Sequence, residues 1–296
     1  MTPKISIVVP CYNHEKFVAQ LIESIYAQTF KDFELIVLDD GSKDGSPLIL
    51  KDLSLKYNFK LVLKENEGIC KTLNQGIDLA SGTYFIAIAS DDFIPPNRLE
   101  EQVSFLDKNS DIDVVAGSEI VVDKEGVEKS LKTPSIKGLV SFEEMLKINR
   151  VLTATVMMRM SVFDRFGRYN EDHVFEDYHM WLKLLKNGGK IFNTSNMWAY
   201  YRVNNPDLEK KFNWYFKGMV QALSDYQDNP LVAQSIMQQR FIYAVKVGLL
   251  LGGETFKKYP EVIKQLTTFQ KIFIQCLTII PSSLRDLLLK VLKLKA

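Results

Sequence analysis

Two pairs of adjacent aspartates each follow an apolar run of the kind that forms a buried strand. Asp39 and Asp40 follow residues 34–38, and Asp91 and Asp92 close a longer apolar run. Carboxylates at strand ends can accept hydrogen bonds from the N–H groups of a base or from ribose hydroxyls. They can also bind a hard divalent cation, Mg²⁺ or Mn²⁺, that bridges phosphate oxygens. Aspartates are also common in turns and caps, so the spacing alone leaves a ligand site and simple turn chemistry both open.

The first aspartate pair lies at the end of a predicted strand–helix–strand unit. Residues 5–9 and 34–38 are apolar enough for buried strands, and the segment between them has the spacing of an amphipathic helix. The apolar face of this helix contains Val18, Leu21, Ile22 and Ile25. Such a crossover joins parallel strands, and ligands of parallel sheets bind beyond the carboxyl ends of the strands. Tyr12 and Asn13 are therefore predicted to lie beside the first aspartate pair.

Composition and charge limit the classes of function. The chain has 296 residues, 46% of them hydrophobic, which is enough for one large domain or two. Its net charge of +1 gives no reason to expect nucleic-acid binding. The three cysteines are widely spaced without a zinc-binding pattern, which favours a reducing compartment. The sequence shows no signal peptide and no apolar run of membrane-spanning length, so we expect a cytoplasmic protein, with contact to the inner face of the membrane as an option.

Strand and helix patterns alternate as far as residue 205, and only helical patterns follow. Residues 123–140 are polar and are interpreted as a connection without regular structure. Later strands are predicted over residues 113–122, 153–158, 191–192 and 197–202. We therefore predict a first domain of residues 1–205 and a helical region of residues 206–296 that serves packing, oligomerisation or membrane contact.

Four motifs identify a family by their order and spacing: P-C-Y-N, D-D-G-S-K-D-G-S, S-D-D-F-I-P-P-N-R-L-E and F-E-D-Y-H-M-W-L-K-L. Together they resemble the family 2 glycosyltransferases of the GT-A fold over residues 4–204. The fold class that this implies is α/β: a Rossmann-like, nucleotide-binding mixed sheet flanked by helices, with a helical C-terminal extension. The resemblance also implies a nucleotide-sugar donor, a divalent Mn²⁺ or Mg²⁺ ion and inversion at the anomeric carbon.

Carried onto this sequence, the resemblance implies which residues hold the nucleotide. The main chain at Pro10 and the ring of Tyr12 would line its pocket, and Asp40 would accept a hydrogen bond from the base. Lys71 would reach the diphosphate, although it is also consistent with a solvated surface lysine. The full set implied for nucleotide binding is Pro10, Tyr12, Asn13, Asp39, Asp40, Lys71 and Asp91.

The same resemblance implies Asp92 as the principal metal ligand, with Asp91 contacting the ion or the ribose. Relatives often carry D-x-D-D where this chain has A-S-D-D, so Ala89 replaces the first acidic residue. A Y-R-x-H segment of relatives is Y-R-V-N here and ends in Asn204. The histidines have no metal-binding spacing and are interpreted as structural: His14, His173 and His179.

Glu176 and Asp177 begin a predicted helix. An inverting transfer needs a carboxylate that takes the proton of the acceptor hydroxyl. The resemblance implies Asp177 for this role, with Glu176 as an orienting or acceptor-binding neighbour. Acidic residues are also favoured in the first turn of any helix, so capping is the alternative.

The expected partners follow from the implied reaction. They are a UDP- or dTDP-sugar donor and a saccharide or lipid-linked saccharide acceptor, as in the synthesis of a cell-surface polysaccharide. The last helix, residues 281–296, has an apolar face and four basic residues against one acidic residue. It could lie on an anionic membrane or pack against its own domain or a second copy of the chain.

Other classes of protein fit the sequence less well. A dinucleotide-binding fold needs glycines after the first strand, and P-C-Y-N-H has none. The segment L-D-D-G-S is similar to the nucleophile motif of some phosphotransferases, but Leu38 stands where the catalytic aspartate would be. A catalytically silent nucleotide-sugar-binding or scaffold module of the same fold remains the main alternative.

Overall fold

The computed structural model describes residues 2–173, 175–203 and 208–291. The chain folds into two compact units. The first unit comprises residues 1–145, 149–172 and 179–203, and the second comprises residues 146–148, 173–178 and 204–296. Asn204 and residues 292–296, on which part of the sequence interpretation falls, lie outside the described residues.

The strands of the described residues are β1 (Ile5–Cys11), β2 (Phe33–Asp40), β3 (Lys60–Lys64), β4 (Tyr84–Ala87), β5 (Val114–Val122), β6 (Glu128–Lys132), β7 (Gly138–Val140), β8 (Met157–Arg159) and β9 (Ile191–Arg202). The helices are α1 (Val18–Tyr26), α2 (Ser46–Tyr57), α3 (Ile69–Leu79), α4 (Arg98–Lys108), α5 (Phe142–Lys147), α6 (Ser161–Phe166), α7 (Glu176–Lys186), α8 (Leu208–Ser224), α9 (Pro230–Leu251), α10 (Thr255–Lys258), α11 (Pro260–Lys264), α12 (Thr268–Thr278) and α13 (Ser282–Val291).

These strands form one mixed sheet in the first unit, in the order β3-β2-β1-β4-β8-β5-β9-β7, with β6 paired to β5. Strands β3, β2, β1 and β4 are parallel, and β8 runs antiparallel between β4 and β5. The α/β class and the parallel strand–helix–strand unit are thereby confirmed. Strands β2 and β4, which precede the two aspartate pairs, are not neighbours, because β1 lies between them.

The region after β4 differs from the sequence prediction. Residues 123–140 were expected to be irregular, but they contain β6 and β7. The sequence of β6, E-K-S-L-K, is polar because this strand is largely exposed, so it lacks the alternation that marks a half-buried strand. Residues 153–158 form a 3₁₀ turn followed by the short strand β8, and the two short strands predicted over residues 191–202 are one strand, β9.

The core of the first unit forms where apolar strands meet the apolar face of α1. Val18, Leu21, Ile22 and Ile25 are all fully buried, as their spacing predicts. They pack in one cluster with alternate residues of β1, including Ile5 and others on the same face of the strand. Burial of these side chains stabilises the sheet, since apolar surface removed from water contributes about 25 cal/mol per Å².

The second unit is helical and is built around α9. Asn229 caps this helix by accepting a hydrogen bond from the N–H of Leu231, and Pro230 occupies the first turn. The apolar residues of α9 pack with α8 and with α12 in two clusters. Among the described residues, no single helix is both long and apolar enough to cross a bilayer. Residues Thr268–Ile279 and Ser282–Leu289 meet that test only as a pair bent by 116°.

Gly82, two residues before β4, packs against the main chain of β1 in the first unit, and this contact leads to a testable prediction. A Cβ on Gly82 would lie 2.5 Å from the main-chain nitrogen of Ser6, and the N–H of Gly82 donates to Ser6 Oγ at 2.8 Å. Because the obstacle is the main chain of β1, Gly82→Ala should lower the free energy of unfolding by about 1–3 kcal/mol. Urea denaturation measures this change.

Gly253→Ala is the matched control, since no atom lies within 4 Å of a Cβ at Gly253. Equal unfolding free energies for the two variants would contradict the close approach at Gly82.

Candidate active site

The loops that follow β1 and β2 are tied together at the carboxyl edge of the sheet. The N–H of Asn13 donates to Ser42 Oγ at 2.8 Å, and Asn13 Oδ1 accepts from the N–H of Lys43 at 2.7 Å. Asn13 has a positive φ of 56°, a conformation that asparagine tolerates better than most residues. Asn13, which the sequence placed in nucleotide binding, therefore has a definite structural role, because it holds the first two loops in register.

Two of the residues implied for the nucleotide pocket flank a buried thiol. The ring of Tyr12 is 47% exposed, and Pro10 is half-buried in β1. Between them, burial raises the pKa of the Cys11 thiol to about 11. Cys11 is thus neutral near pH 7 and is no candidate nucleophile, whereas Tyr12 presents an accessible aromatic face.

Asp40 anchors the loop that leads into α3. Its Oδ1 accepts from the N–H of Glu67 and its Oδ2 from the N–H of Gly68, both at 2.9 Å. Lys64 Nζ lies 3.2 Å from Oδ1. Burial alone would raise the pKa of Asp40, but these amide hydrogen bonds, together with Thr72 and Lys64, hold the pKa below its usual value.

Asp39 turns the chain at the end of β2. Its Oδ1 accepts from the N–H of Ser42 at 2.9 Å. Its Oδ2 is buried, and the described residues offer it no hydrogen-bond partner. The next glycine, Gly41, has a φ of +76°, and a Cβ there would lie 2.7 Å from the main-chain nitrogen of Asn66. The turn at D-D-G-S therefore depends on Asp39 and Gly41. Asp40 instead accepts hydrogen bonds from the loop before α3, which the turn itself does not require.

Asp92 is held in place by strand β9. Its Oδ1 accepts from the N–H of Arg202 at 2.8 Å. Its neighbour Phe93 forms an antiparallel bridge with Tyr200, and their rings stack at 4.4 Å. Burial, followed by the charge of Asp91, raises the pKa of Asp92 well above its ordinary value. The adjacent carboxylates thus form a site where negative charge is not fully compensated.

His14 lies beside this carboxylate pair, and the sequence analysis did not predict this contact. Its Nδ1 lies 2.7 Å from Ser90 Oγ, and its Nε2 lies 3.9 Å from Asp91 Oδ2. The interpretation of His14 as structural rested on the absence of a metal-binding spacing, but these residues meet only through the pairing of β1 with β4. Its position beside Asn13, at the predicted ligand edge, was the signal available in the sequence.

Two cations near this edge have different environments. Arg202 is buried, and its guanidinium donates to the carbonyls of Asp91, Asp123 and Lys124 and to Gln20 Oε1. Those contacts give Arg202 a structural role. Lys71 is exposed on α3, whereas Leu73 of the same helix is buried in the core.

Glu176 and Asp177 form the first turn of α7 and belong to the second unit, whereas the residues described above belong to the first. Asp177 Oδ1 accepts from the N–H of Tyr178 at 2.6 Å. Burial and the charge of Asp177 raise the pKa of Glu176 to about 8. The raised pKa favours the protonated form of Glu176 beside the carboxylate of Asp177.

Comparisons with known proteins decide the family. The model of "Glycosyl transferase family 2" matches residues 6–167. The chain belongs to this family. It is 33% identical to EpsE of Bacillus subtilis over 233 residues, which cover 76% of this chain and 81% of the relative. The enzyme is thus a glycosyltransferase, as its motifs imply.

A second relative has a name that states its reaction. The chain is 26% identical over 244 residues to WfgD of Escherichia coli, a UDP-Glc:α-D-GlcNAc-diphosphoundecaprenol β-1,3-glucosyltransferase. The match covers 82% of this chain and 94% of WfgD. By contrast, the chain spans only 28–32% of the length of three Rickettsia relatives.

A solved structure confirms the fold. The mannosyltransferase PcManGT from Pyrobaculum calidifontis, in complex with GDP-Man and Mn²⁺, has a TM-score of 0.63 and 15% identity to this chain. The likeness covers 97% of this chain and 88% of PcManGT. The predicted GT-A fold with a helical C-terminal part is therefore correct.

The hydrogen bonds that Asp40 accepts from the loop before α3 lead to a testable prediction. Asp40→Asn places an NH₂ group against one of the amide N–H donors of the following loop, which should lower the free energy of unfolding at pH 7 by about 1–3 kcal/mol. Because the pKa of Asp40 is lowered in the folded state, its contribution is present above the ordinary aspartate pKa and is lost as the pH falls. The difference between wild type and variant should therefore shrink below about pH 4.

Denaturation in urea from pH 3 to pH 7 measures the difference. Asp52→Asn, at an exposed position of α2, is the control. A gap between wild type and Asp40→Asn that stays constant from pH 7 to pH 3 would contradict a stabilising ionised Asp40.

Proposed function

We propose that this enzyme transfers one sugar, with inversion, from a UDP- or dTDP-sugar to a hydroxyl group of a saccharide acceptor. The observation that carries the proposal is the gathering of Tyr12, Asp40 and the Asp91–Asp92 pair at the carboxyl ends of three parallel strands. Ligands of open α/β sheets bind at this edge. The relative WfgD uses a UDP-sugar by its name, which favours a uridine nucleotide.

The nucleotide is proposed to bind over the first three strand ends. The exposed ring of Tyr12 offers a stacking face for the base. Asp40 is proposed to accept a hydrogen bond from the base in exchange for one of its present contacts with Lys64 or Thr72. Asp91 is proposed to bind a ribose hydroxyl or the ion, and Lys71 to approach the diphosphate from α3.

The residues at the end of β4 fit a divalent cation. Asp91 and Asp92 provide oxygen donors, which Mg²⁺ and Mn²⁺ prefer. Burial, followed by the charge of Asp91, raises the pKa of Asp92, and a bound cation would favour its ionised form. When bound there, a divalent ion would offset the negative charge that develops on the diphosphate leaving group. PcManGT, which has the same fold, was solved with Mn²⁺, which supports this proposal.

Asp177 is proposed as the general base. The acceptor hydroxyl would give its proton to an Asp177 oxygen as the acceptor oxygen bonds to the anomeric carbon. The bond from that carbon to the diphosphate breaks on the opposite side, and the nucleoside diphosphate leaves with the electron pair. Glu176 is protonated near neutral pH, so it can donate a hydrogen bond to the acceptor instead of competing for the proton.

The acceptor is proposed to be lipid-linked and bound at the inner face of the membrane, in the assembly of a cell-surface polysaccharide. The name of WfgD states a diphosphoundecaprenol acceptor. In the second unit, large apolar side chains are exposed on α12, on α13 and between them: Phe269, Ile272, Phe273, Ile279, Leu284 and Leu287. The sequence of residues 281–296 carries four basic residues against one acidic residue, and these two features support contact with an anionic membrane.

Asp177→Asn tests the assigned chemistry. Turnover of the active donor should fall by about 10²–10⁴-fold, the usual contribution of a general base, while binding of UDP stays unchanged. Transfer assays over UDP- and dTDP-sugars with saccharide acceptors, and calorimetry with UDP, make the two measurements.

Asp228→Asn, at an exposed position of the second unit, is the control for this experiment. Near wild-type turnover in Asp177→Asn would remove this residue from the role. Tight UDP binding by the wild type without transfer from any donor would instead favour the catalytically silent module.

The membrane proposal is tested by the double variant Phe269→Ser/Ile279→Ser. These side chains are 78% and 79% exposed, and each contributes up to about 1.5–3 kcal/mol when it is buried. Binding to phosphatidylglycerol vesicles should weaken by at least about tenfold, which corresponds to about 1.4 kcal/mol. Co-sedimentation measures the bound fraction.

Leu55→Ser is the matched control, because Leu55 is 86% exposed but lies on α2 of the first unit. The membrane surface would be refuted by an equal effect of the two changes, or by wild-type binding that is the same for phosphatidylcholine vesicles.

A further inference from the structure

We propose that His14 supplies a nitrogen ligand to a divalent cation that Asp91 also binds, and that it favours Mn²⁺ over Mg²⁺. The inference rests on the proposed function, because it concerns the ion that would bind with the donor. It adds a residue from the loop after β1 to a site that the motifs assign to the end of β4.

The imidazole ring is held in the arrangement that metal-bound histidines usually have. A ligating histidine commonly donates its second ring N–H to a neighbouring acceptor, which fixes the tautomer and the ring orientation. Here Nδ1 lies 2.7 Å from Ser90 Oγ, and Ser90 is buried. The main-chain N–H of His14 also donates to Ser46 Oγ at 3.0 Å. With Nδ1 bonded to Ser90, Nε2 is the nitrogen directed at the carboxylate.

The distance between the two facing atoms suits a shared ion better than a direct bond. Nε2 lies 3.9 Å from Asp91 Oδ2, beyond the ~3.2 Å limit of an ordinary N–H···O hydrogen bond. Metal–nitrogen and metal–oxygen bonds of about 2.0–2.2 Å each would span this gap with one ion. A lone pair of neutral imidazole and a carboxylate oxygen are both acceptors, so a cation between them satisfies both.

The other groups at this strand end leave room for such a ligand. Asp92 Oδ1 already accepts from the N–H of Arg202. Ala89 is exposed and offers only a methyl group. Asp91 and His14 are both half-buried, with side-chain exposures of 20% and 27%, so an ion can reach them from solvent.

A nitrogen ligand changes which ion the site prefers. An imidazole nitrogen binds first-row transition ions, of which Mn²⁺ is the weakest binder, whereas Mg²⁺ keeps a shell of carboxylate and water oxygens. With His14 in the shell, the site should bind Mn²⁺ more tightly than Mg²⁺. Without it, the site should lose most of that preference while it keeps its oxygen ligands.

The test is Mn²⁺ binding to the full-length protein in the presence of UDP. Electron paramagnetic resonance of free Mn²⁺ gives the affinity, and pulsed measurements detect the coupling of a ligand ¹⁴N nucleus to the ion. His14→Gln should weaken Mn²⁺ binding by about 10–100-fold and abolish the nitrogen coupling. Mg²⁺ affinity, measured by competition, should change much less.

Two further variants keep the result interpretable. Ser90→Ala removes the partner of Nδ1 and should weaken Mn²⁺ binding several-fold while nitrogen coupling persists, which a purely structural histidine would not produce. Lys16→Gln, at an exposed neighbouring position, is the control and should leave both measurements unchanged.

Mn²⁺ affinity and nitrogen coupling that survive in His14→Gln would overturn the inference and leave the proposed transfer reaction intact. Wild-type protein with UDP that binds no Mn²⁺ would overturn both the inference and the proposed metal site. Turnover that depends on Asp177 is measured separately, so failure of the base assignment is distinguishable from either result.

Discussion

The parallel pairing of β1 between β2 and β4 is the constraint on which the rest of the site depends. It brings the carboxyl ends of three strands to one edge, and the residue register aligns Cys11 with Asp39. Residues from positions 12–14, 39–42 and 90–92 therefore meet although they are far apart in sequence. The hydrogen bonds of Asn13 with Ser42 and Lys43, and of His14 with Ser90, all depend on this alignment.

The two buried aspartates at this edge, Asp40 and Asp92, differ in how well their negative charge is stabilised. Asp40 is compensated by two amide N–H donors and a lysine, so its ionised form is favoured and shapes the loop before α3. Asp92 is buried beside the charge of Asp91 and has one main-chain donor, so its pKa is raised and its ionised form is disfavoured. Fully bonded carboxylates stabilise a fold, and under-compensated pairs are typical of sites that bind a cation. The two aspartate pairs look alike in sequence, yet the pKa of Asp40 is lowered and that of Asp92 is raised, which supports the proposal of an ion at the second pair.

The proposed reaction assigns donor binding and proton transfer to different parts of the chain. Nucleotide and ion are assigned to strand ends of the first unit, and the base to the first turn of α7, which belongs to the second. The raised pKa of Glu176 separates the roles of two adjacent carboxyl groups, one protonated and one proposed to accept a proton. Within the second unit, the exposed apolar residues of α12 and α13 add a surface that packing inside that unit does not use.

Local patterns in the sequence determined the α/β class, the helix α1 with Val18, Leu21, Ile22 and Ile25 inward, and the family through its ordered motifs. These features depend on residues close in the chain, whose spacing reports directly on helix or strand periodicity. The sequence could not show that β1 separates β2 from β4, that the polar segment E-K-S-L-K is strand β6, or that Arg202 is bound to main-chain carbonyls. Those outcomes depend on pairing between distant segments. For the same reason the contact of His14 with Ser90 and Asp91 emerged only in the folded chain: the sheet brings these residues together, and no spacing along the sequence records that contact.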